Sequence, residues 1–421
     1  MDTVKFYNLL IETNFNFSTD SRNITTGCIF FAFKGENFNG NKFAIQALEQ
    51  GASFAVVDED CGTDSRLIQV KDVLTFFQEV ATFHRTCYDI PFIAIGGSNG
   101  KTTTKNLLFA VLNKQYNTHC TAGNFNNHIG VPITLLKTPQ DCEMAIIELG
   151  TNNPGEIEEL CAISKPNFGL ITNIGKEHLE GFGTLEAVAK EESEIYHYLL
   201  KNNGTAFINK DDEWLDRMSR SIESKVYYSK NDCSISSLVP QIRFEYKNIR
   251  FQSPLMGDYN LDNILTAIAI GEHFEIPLDK IADAIAEYQP DNNRSQLIEK
   301  DSNTILLDAY NANPSSMQVA IRNFAKMPQD KKVLILGDMF EMGPTANQEH
   351  LELLQWAMEF GFDRILLLGN HFDAVSENCG ISTFKTMEEL GAELKKLNLV
   401  NGAMLVKGSR GMKMERVLEY L

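Results

Sequence analysis

The sequence predicts an α/β protein with three domains, in which helices cover mostly parallel sheets. Short apolar runs alternate with helical patterns along most of the chain, and this alternation is typical of parallel sheets. One apolar run, at 92–95, leads into a glycine-rich turn and a helical pattern, the arrangement of a P-loop. The length of 421 residues exceeds what one ordinary hydrophobic core supports. We therefore expect a small N-terminal α/β domain over 1–86, a central P-loop ATPase-like parallel sheet over 87–293 and a C-terminal Rossmann-like domain over 294–421.

The composition and charge of the chain argue against several classes of protein. Apolar residues make up 43% and charged residues 22%, as in soluble globular proteins. The net charge of -18 argues against a nucleic-acid partner, which would need clustered Lys and Arg. No apolar run reaches membrane-spanning length, and the N-terminal residues lack the pattern of a secretory signal. The eight cysteines are scattered without CxxC pairs, so we expect reduced thiols in a cytoplasmic protein without membrane insertion. We also expect a monomer.

The N-terminal segment combines a polar corner with the pattern of a small α/β domain. Asp20-Ser21-Arg22 either binds an anionic ligand or forms a turn with a surface ion pair, and the residues alone favour the turn. A strand at 28–33, a helix at 43–48 that closes at Gly51 and a strand at 52–57 are expected to follow.

The turn after residues 92–95 has the composition of a triphosphate-binding loop. Glycines let successive N–H groups point at a polyphosphate, and the N-terminus of the next helix adds partial positive charge. Lys101 would reach the outer phosphates, and Thr102 would offer its hydroxyl to magnesium. A structural turn that happens to contain lysine is the alternative, and the succession of strand, glycines, Lys-Thr-Thr and helix argues against it. The expected nucleotide-binding residues of the turn are Gly97, Ser98, Asn99, Gly100, Lys101, Thr102 and Thr103.

Two side chains at predicted strand exits are candidates for chemistry beside this turn, because ligands of parallel sheets collect at the carboxyl ends of the strands. Glu148 ends the apolar run 144–148. It is either a magnesium ligand or a carboxylate paired with a lysine, and the upstream turn favours the metal. His178 follows the predicted strand 168–174, where a lone histidine is more often a structural residue.

Glu192 lies on the apolar face of a helix predicted after Gly183. The other positions of this face are Leu185, Val188, Ile195 and Leu199. A carboxylate on an inward face is costly unless it is paired or binds a metal. Lys190 points nearly the opposite way and cannot replace it. The alternative is a partly exposed face on which Glu192 is solvated.

Two further groups of polar residues lie where substrates of such sheets collect. The segment 123–136 places three amide side chains before a helix, where they form either a turn or a substrate-binding loop. Polar residues also follow the strands expected in the C-terminal domain, which has no second phosphate-binding loop. We expect this domain to close over the central site and to bring a co-substrate.

Motifs along nearly the whole chain resemble those of the ATP-dependent Mur ligases of peptidoglycan synthesis. These motifs are DSRNITTGCIFFAFKGENFNG, GGSNGKTTTK, GNFNNHIGVPITLL, ELGTNNPGEI, ITNIGKEHLEGFG, GDYNLDN, LDAYNANPSSM, LGDMFEMG and VKGSRGMKMERV. Within the family, GNFNNHIGVP and YNANPSSM are most similar to the branch that adds D-alanyl-D-alanine to the UDP-N-acetylmuramoyl-tripeptide. The Asp-Asn-Pro-Arg motif that is typical of the diaminopimelate-adding branch does not occur in the sequence.

The resemblance implies a ligase that uses ATP and Mg2+ to form an amide bond. The terminal carboxylate of the tripeptide would attack the γ-phosphate of ATP to give an acyl phosphate, and the amine of D-alanyl-D-alanine would then displace phosphate. Both reactants are anions, so Lys101 and magnesium would neutralise them. The implied partners are UDP-N-acetylmuramoyl-tripeptide and D-alanyl-D-alanine, and the N-terminal domain is similar to the family's UDP-sugar-binding domain.

The resemblance also implies roles for individual residues. Thr102 and Glu148 would bind one magnesium ion, and His178 a second. The implied catalytic residues are Lys101, Glu148, His178 and Glu192. The implied nucleotide contacts outside the turn are Asn260, Asn263, Arg294, Asp308 and Tyr310. The implied substrate contacts are Ser21, Arg22, Asn124, Asn126, Asn127, Thr151, Asn152, Asn311, Lys407, Ser409 and Arg410.

Glu192 marks a departure from the family's pattern. The family usually carries a carbamylated lysine in a segment of the form Ala-Lys-x-Glu-Ile/Leu, and alignment on residues 193–195 puts Glu192 at its place. A glutamate would supply a permanent carboxylate on a shorter arm. We therefore expect Glu192 to serve the second magnesium ion, directly or through water, without any need for bicarbonate. A slipped alignment that makes Lys190 the modified residue is the alternative.

Two other functions stay open at this point. One is another ATP-dependent amide ligase of the same architecture, such as a different Mur enzyme or a folylpolyglutamate synthase. The other is a nucleotide-binding switch that ligates nothing, although the polar strand exits of the C-terminal domain argue against it. The sequence leaves open whether diaminopimelate or lysine is the third residue of the tripeptide.

Overall fold

The computed structural model describes residues 2–177, 179–290, 293–397 and 399–421. Three parallel or mostly parallel sheets follow one another along the chain, together with two small antiparallel sheets. The expected α/β fold is therefore confirmed, while the domain boundaries stay a prediction. Within the ranges given, none of the helices combines the length and the apolar character that crossing a membrane requires.

The N-terminal part forms a small parallel sheet. Its elements are α1 (Thr3–Glu12), β1 (Phe17–Ser18), β2 (Ile29–Phe31), β3 (Lys34–Gly35), β4 (Phe38–Asn39), α2 (Ala44–Glu49), β5 (Phe54–Val57), β6 (Leu67–Gln69) and α3 (Val73–Thr86). The sheet order is β1-β2-β5-β6, and β3 pairs with β4 separately. The rings of Phe6, Phe31 and Phe77 pack between the sheet and the helices α1 and α3, where they are fully buried. The expected helix and strands are confirmed here, with β2 and β5 shorter than predicted.

The central part forms a six-stranded sheet whose strands are all parallel. Its elements are β7 (Phe92–Gly96), α4 (Lys101–Leu112), β8 (Thr118–Cys120), α5 (Gly130–Leu136), β9 (Met144–Glu148), α6 (Glu156–Ser164), β10 (Phe168–Ile171), α7 (Leu179–Phe182), α8 (Leu185–Glu192), α9 (Glu194–Lys201), β11 (Thr205–Asn209), α10 (Glu213–Met218) and β12 (Ser224–Tyr228). The order is β12-β11-β10-β7-β9-β8. Every residue of β7 and β9 is buried, because helices cover both faces of the sheet.

A small antiparallel sheet and two helices follow the central sheet. The elements are β13 (Cys233–Ser237), β14 (Ile242–Tyr246), β15 (Ile249–Ser253), α11 (Asp258–His273) and α12 (Leu278–Glu287). The strands β14 and β15 form a hairpin. Lys247 and Asn248 connect these strands with φ of 49° and 65°, as a two-residue hairpin turn requires.

The C-terminal part forms a second six-stranded sheet in the order β16-β17-β21-β18-β19-β20. Its elements are β16 (Gln296–Lys300), β17 (Asn303–Asp308), α13 (Pro314–Ala325), β18 (Lys332–Gly337), α14 (Ala346–Met358), β19 (Arg364–Leu368), α15 (Asn370–Ser376), β20 (Thr383–Phe384), α16 (Met387–Leu394) and β21 (Ala403–Lys407). Only β16 pairs antiparallel within this sheet. The doubly wound sheet predicted here is confirmed. Short 3-10 helices occur at Gly40–Phe43, Lys230–Asp232, Gly343–Thr345, Glu377–Cys379, Arg410–Met412 and Met414–Glu419.

Two element predictions in the central part differ from the structure. The strand expected at 168–174 ends at Ile171, because Thr172 and Asn173 leave the sheet and bind the phosphate-binding turn. The single helix expected after Gly183 is divided at Ser193, whose hydroxyl donates to Lys190 O at 2.6 Å. The helix α11 begins directly after Gly257, where φ is 93°.

Candidate active site

A cavity of about 650 Å³ lies between the carboxyl ends of the central and C-terminal sheets. The turn after β7, the exits of β9 and β10, the start of α11 and the exits of β17 and β21 all contribute to its lining. Residues separated by hundreds of positions in the chain therefore share one site, as expected for ligands at the carboxyl ends of parallel strands.

The turn between β7 and α4 needs glycine at two positions. Gly97 and Gly100 have φ of 108° and 87°, a region that other residues rarely adopt. A side chain at Gly97 would collide with Thr172, and a Cβ at Gly100 would lie 2.7 Å from Asn263 Oδ1. The residues that follow β10 are hydrogen-bonded to the turn. Ser98 N donates to Asn173 O at 2.9 Å, and Thr172 Oγ1 donates to Asn99 O at 2.7 Å.

Lys101, the first residue of α4, is surrounded by carboxylates. Its Nζ donates to Gly97 O and lies 3.6 Å from Glu177 Oε2, and only 15% of its side chain is exposed. Burial alone would lower the pKa of Lys101, but Glu177, Glu192 and Glu148 raise it above the ordinary value. The lysine is therefore cationic at neutral pH and lies at the edge of the cavity.

Glu148 and Thr102 lie together, as predicted. Thr102 Oγ1 donates to Glu148 Oε1 at 3.2 Å, and Asn126 Nδ2 donates to the same oxygen at 2.9 Å. Glu148 Oε2 is buried and has no hydrogen-bond partner in the described part of the chain. It lies 3.6 Å from Nζ of Lys105, which is also buried. Both roles considered for Glu148 therefore have structural support: it pairs with a lysine and it offers an oxygen beside the Thr102 hydroxyl.

Glu192 is fully buried, as the helical spacing predicted. Its Oε2 accepts a hydrogen bond from Gly97 N at 2.6 Å. Its Oε1 has no hydrogen-bond partner among the residues described. Burial raises the pKa of Glu192 to about 7, although Lys101 opposes the shift. The carboxylate thus lies behind the phosphate-binding turn rather than on the lining of the cavity, and the exposed Lys190 points away from it.

The proposed metal ligands do not all fall within the described residues. His178 lies outside them. In the ranges that the structure describes, no group of three or more His, Cys, Asp and Glu side chains converges as a metal site would require. Thr102 and Glu148 are nevertheless adjacent, and hydroxyl and carboxylate oxygens are the ligands that magnesium prefers.

The asparagine-rich loop both forms a turn and lines the cavity. Asn127 Oδ1 accepts from Gly130 N at 2.9 Å and so supports the start of α5. Asn126 binds Glu148, as described above. The side chains or backbones of Asn124, Asn126 and Asn127 all line the cavity. Gly150, Thr151 and Asn152 line it nearby, after the end of β9.

Asn263 and Asn260 form a buried chain of hydrogen bonds at the start of α11. Asn263 Oδ1 accepts from Thr104 Oγ1 at 3.1 Å, and its Nδ2 donates to Asn260 Oδ1 at 3.1 Å. Asn260 Nδ2 donates in turn to Met256 O at 2.9 Å. Asn263 lines the cavity, whereas Asn260 lies beneath it. The cavity continues past Asn263 along polar side chains that the sequence analysis did not single out: Asn209, Asp211, Asp212, Lys230 and Asp262.

The C-terminal part contributes a cationic and aromatic wall. The guanidinium of Arg294 stacks on Tyr310 at 3.6 Å from the ring centroid. Lys407 Nζ donates to Asp308 Oδ2 at 2.6 Å and to Asn311 O at 3.1 Å. These five residues line the cavity, as predicted. The wall therefore presents two cationic groups to phosphates or to a carboxylate. These are the guanidinium of Arg294 and the ammonium of Lys407, which already pairs with Asp308.

Four of the predicted substrate contacts do not line the cavity. Ser409 is buried, and its Oγ accepts from Phe340 N at 2.8 Å. Arg410 pairs with Glu415 at 3.0 Å. Ser21 and Arg22 lie in an exposed corner where Arg22 pairs with Asp20 at 2.8 Å, so the turn that the residues alone favoured is confirmed. The substrate roles of these four residues stay a prediction.

Three charged residues around the phosphate-binding turn and the turn after β9 were also missed by the sequence analysis. Lys105 follows Lys101 by one helical turn, and this spacing could have indicated it. Glu177 immediately precedes His178, and the sequence analysis considered only the histidine in this segment. Glu191 precedes Glu192, and its buried position depends on helix packing that the local sequence does not reveal.

The central and C-terminal parts also bind each other beside the cavity. Asn313 Nδ2 donates to Asn99 Oδ1 at 3.0 Å, which joins the N-terminus of α13 to the phosphate-binding turn. Lys176 N donates to Ser315 Oγ at 2.9 Å, and Lys176 Nζ pairs with Glu349 at 2.8 Å. The C-terminal part therefore contacts the phosphate-binding turn directly.

Comparison with known proteins identifies the family. The Mur ligase middle domain matches residues 95–271, and the Mur ligase glutamate ligase domain matches residues 293–410. The chain is 36% identical to "UDP-N-acetylmuramoyl-tripeptide--D-alanyl-D-alanine ligase" of Escherichia coli (strain K12), over 96% of this chain and 93% of that protein.

Solved structures agree with this assignment. A crystal structure of MurF from Acinetobacter baumannii superposes with a TM-score of 0.88 at 28% identity, covering 98% of this chain and 97% of that one. The crystal structure of MurF ligase from Thermotoga maritima in complex with ADP superposes with a TM-score of 0.86 at 25% identity, covering 96% of each chain. The shared sequence and the shared architecture lead to one conclusion: this chain belongs to the Mur ligase family.

Proposed function

We propose that the protein is an ATP-dependent ligase that joins D-alanyl-D-alanine to UDP-N-acetylmuramoyl-tripeptide in the synthesis of peptidoglycan precursors. The observation that carries this proposal is the single cavity that joins the phosphate-binding turn, the asparagine-rich loop and the C-terminal wall. Three reactants need such a shared site. Similarity to the Escherichia coli ligase over 96% of the chain supports the choice of substrates, and the ADP complex of the Thermotoga maritima relative supports ATP as the nucleotide.

The reaction forms one amide bond and breaks one phosphoanhydride bond. A carboxylate oxygen of the tripeptide attacks the γ-phosphorus of ATP, and ADP leaves. The dipeptide amine then attacks the carbonyl carbon of the acyl phosphate, loses a proton, and expels inorganic phosphate. Lys101 supplies positive charge where carboxylate and triphosphate repel each other. The N–H groups of 100–103, which lie at the N-terminus of α4, would hold the phosphates.

Magnesium is part of the proposal, and the residues at the turn fit it. Thr102 Oγ1 and Glu148 Oε2 offer hard oxygen ligands beside the phosphate site. In the described part of the chain, Glu148 Oε2 has no hydrogen-bond partner. Thr102 and Glu148 would hold one ion, and His178 with Glu192 a second. When bound, these ions would neutralise phosphate charge. The buried Lys105 lies 3.6 Å from Glu148 Oε2 and balances the negative charge of this carboxylate.

We infer that Glu192 takes the place of the family's carbamylated lysine. Its complete burial, its charge beside Lys101 and its unpartnered Oε1 within the described residues support this role. Its other oxygen binds Gly97 N, so Glu192 would also fix the shape of the phosphate-binding turn. Lys190, the alternative modified residue, is exposed, which favours Glu192.

The remaining contacts follow the layout of the cavity. The nucleotide would lie along Asn263, Arg294, Asp308 and Tyr310, with Asn260 supporting Asn263 from below. The two peptide substrates would meet the loops after Gly123 and β9 and the wall at Asn311 and Lys407. Ser21 and Arg22 would contact the UDP-sugar, and Ser409 and Arg410 would act at the outer edge of the C-terminal wall.

We further infer that the protein acts in the cytoplasm as a monomer. All eight cysteines carry free thiols, which is typical of a reducing compartment. Two of the three proposed reactants, ATP and the UDP-linked tripeptide, are nucleotides, which supports the same location.

Phosphate release with a panel of amine donors tests the proposed function. Purified protein, ATP, Mg2+ and UDP-tripeptide receive D-alanyl-D-alanine, diaminopimelate, lysine or glutamate in separate reactions. We expect phosphate release with the dipeptide alone, and tripeptides that end in diaminopimelate or in lysine will establish the third residue. Release with a single amino acid would favour another Mur-type ligase, and glutamate with a folate acceptor would favour folylpolyglutamate synthesis. ATP binding without turnover under every condition would favour a non-ligating switch.

A further inference from the structure

The turn that follows β9 is held by a carboxylate from a different helix. Glu191 lies near the end of α8 and is only 5% exposed. Its Oε2 accepts from Gly155 N at 2.8 Å, and its Oε1 accepts from Ile157 N at 2.8 Å. The hydroxyl of Thr151 lies 3.4 Å from the same Oε1. Glu191 therefore contacts both ends of the turn 151–157.

Glu191 replaces a missing helix cap. The helix α6 begins after Gly155, which has φ of 93° and no side chain to cap the first N–H groups. Such N–H groups need an acceptor, and a side chain at this position usually provides it. Glu191 supplies the acceptor from α8 instead, as a carboxylate that receives two hydrogen bonds. The turn is thereby tied to a helix that is distant in sequence.

The turn that Glu191 holds forms part of the cavity wall. Gly150, Thr151 and Asn152 line the cavity. Glu156 secures the same turn from its own side, because its Oε2 accepts from Asn152 N at 2.7 Å. Although this backbone N–H is already bound, the exposed side chain of Asn152 remains a polar group that the turn offers to a ligand, beside Thr151.

Glu192, the next residue of α8, binds a second turn through its carboxylate. Glu192 accepts from Gly97 N at 2.6 Å and so holds the phosphate-binding turn. Successive residues of a helix point about 100° apart, which lets adjacent side chains reach different elements. The last two residues of α8 therefore fix two separate walls of one cavity.

We propose that Glu191 is a positioning residue for the peptide acceptor: it orients Thr151 and Asn152 toward the UDP-tripeptide, while Glu192 serves the nucleotide side. This inference rests on the proposed function. Binding groups that are held in place before the ligand arrives lose less freedom on binding. Loss of the Glu191 carboxylate would free the turn 151–157 and weaken the acceptor contacts, and the phosphate-binding turn would keep its own anchor.

Steady-state kinetics of the full chain test this assignment. The variants are Glu191→Gln, which removes the charge, and Glu191→Asp, which keeps the charge on a shorter arm. The matched control is Glu186→Gln, an exposed position on the same helix. KM is measured separately for UDP-tripeptide, ATP and D-alanyl-D-alanine, and thermal unfolding is followed for each protein. If Glu191→Gln fails to fold, Glu191→Asp decides the outcome.

We expect Glu191→Gln to change KM for UDP-tripeptide selectively. KM for UDP-tripeptide should rise about tenfold, the loss expected for one charge-assisted hydrogen bond, and KM for ATP should change less than about twofold. An unchanged KM for UDP-tripeptide, or an equal rise in all three KM values, would overturn the assignment.

The same experiment distinguishes failure of this inference from failure of the proposed function. If wild type and Glu186→Gln turn over and the Glu191 variants show no selective effect, only the inference fails. If wild type does not ligate the dipeptide, the proposed function fails, and calorimetric binding of UDP-tripeptide then decides the inference. Binding that is about tenfold weaker in Glu191→Gln than in wild type supports it, and equal or absent binding contradicts it.

Discussion

The carboxylate of Glu192 accepts a hydrogen bond from the backbone N–H of Gly97 at 2.6 Å. This contact joins the end of α8 to the phosphate-binding turn across 95 positions of the chain. It also places a second carboxylate near Lys101, in addition to Glu177. The charge balance of the turn therefore depends on the acidic residue Glu192 as well as on Glu177.

The first prediction concerns bicarbonate. Because the carboxyl group of Glu192 belongs to the side chain itself and needs no carbamylation, wild-type turnover should be the same in bicarbonate-depleted and bicarbonate-supplemented buffer. Glu192→Gln should lower turnover about tenfold or more and raise the Mg2+ requirement, because a charged hydrogen-bond acceptor is lost. Glu192→Lys should recover activity only when bicarbonate is added. Turnover and magnesium dependence that do not change in Glu192→Gln would exclude the role, and a carbamate adduct on Lys190 would identify the alternative residue.

The second prediction concerns the magnesium ion at the turn. Glu148→Gln removes the charge of the carboxylate that lies beside the Thr102 hydroxyl. The Mg2+ concentration for half-maximal phosphate release should rise at least about tenfold, because a ligand to the ion is weakened. Glu158→Gln changes an exposed glutamate of α6 in the same way and serves as the control. If both variants kept the wild-type magnesium dependence, Glu148 would serve only as a structural partner of Lys105, Thr102 and Asn126.

A third prediction links Asp262 to stability. Burial raises the pKa of Asp262 to about 6 from an ordinary 3.8. The folded state therefore binds this proton more tightly than the unfolded state, so Asp262 destabilises the fold above pH 6 and this penalty disappears as the pH falls toward 4. Asp262→Asn removes the penalty and should raise the free energy of unfolding at pH 7 by about 3 kcal/mol.

Urea unfolding at several pH values checks this prediction. The gain in Asp262→Asn should shrink between pH 7 and pH 4, because the wild-type carboxyl becomes protonated over that range. The control is Asp283→Asn on α12, which is exposed and should show little change. A gain that is independent of pH would show that the carboxylate is not the source of the effect.

The fourth prediction concerns closure of the C-terminal part. In the structure, Asn313 binds Asn99 of the phosphate-binding turn, and Lys176 binds Glu349. Small-angle scattering with a non-hydrolysable ATP analogue and UDP-tripeptide should match this closed arrangement, and the ligand-free protein should have a larger radius of gyration. Scattering curves that coincide with and without ligands would argue against closure.

The sequence was sufficient for the parts of the fold that are encoded locally. The strand β7, the glycine turn and α4 follow one another within 21 residues, so their apolar run, glycines and helix were all visible in one short segment. The inward position of Glu192 was predicted from helical spacing alone, because four apolar neighbours mark the same face.

The parts that were missed depend on contacts between distant segments. Glu191 binds Gly155 and Ile157, which lie more than 30 positions away, and no local pattern indicates which helix end a side chain will cap. Thr172 and Asn173 continue the apolar strand 168–171 in sequence, but their hydrogen bonds to the phosphate-binding turn end the strand early. The internal bonding of Asn260 and the pairing of Arg410 likewise became visible only in three dimensions.

The most direct measurement of the central claim compares ADP formation by wild type and by Lys101→Ala, with ATP, Mg2+, UDP-tripeptide and D-alanyl-D-alanine all present. Lys101 lies beside the turn with its pKa raised, and we hold that its charge lets the acceptor carboxylate approach the triphosphate. Lys101→Ala should therefore lower kcat at least about a hundredfold, while Lys114→Ala, at a partly exposed position of the segment after α4, stays close to wild type. Normal turnover by Lys101→Ala would contradict the account.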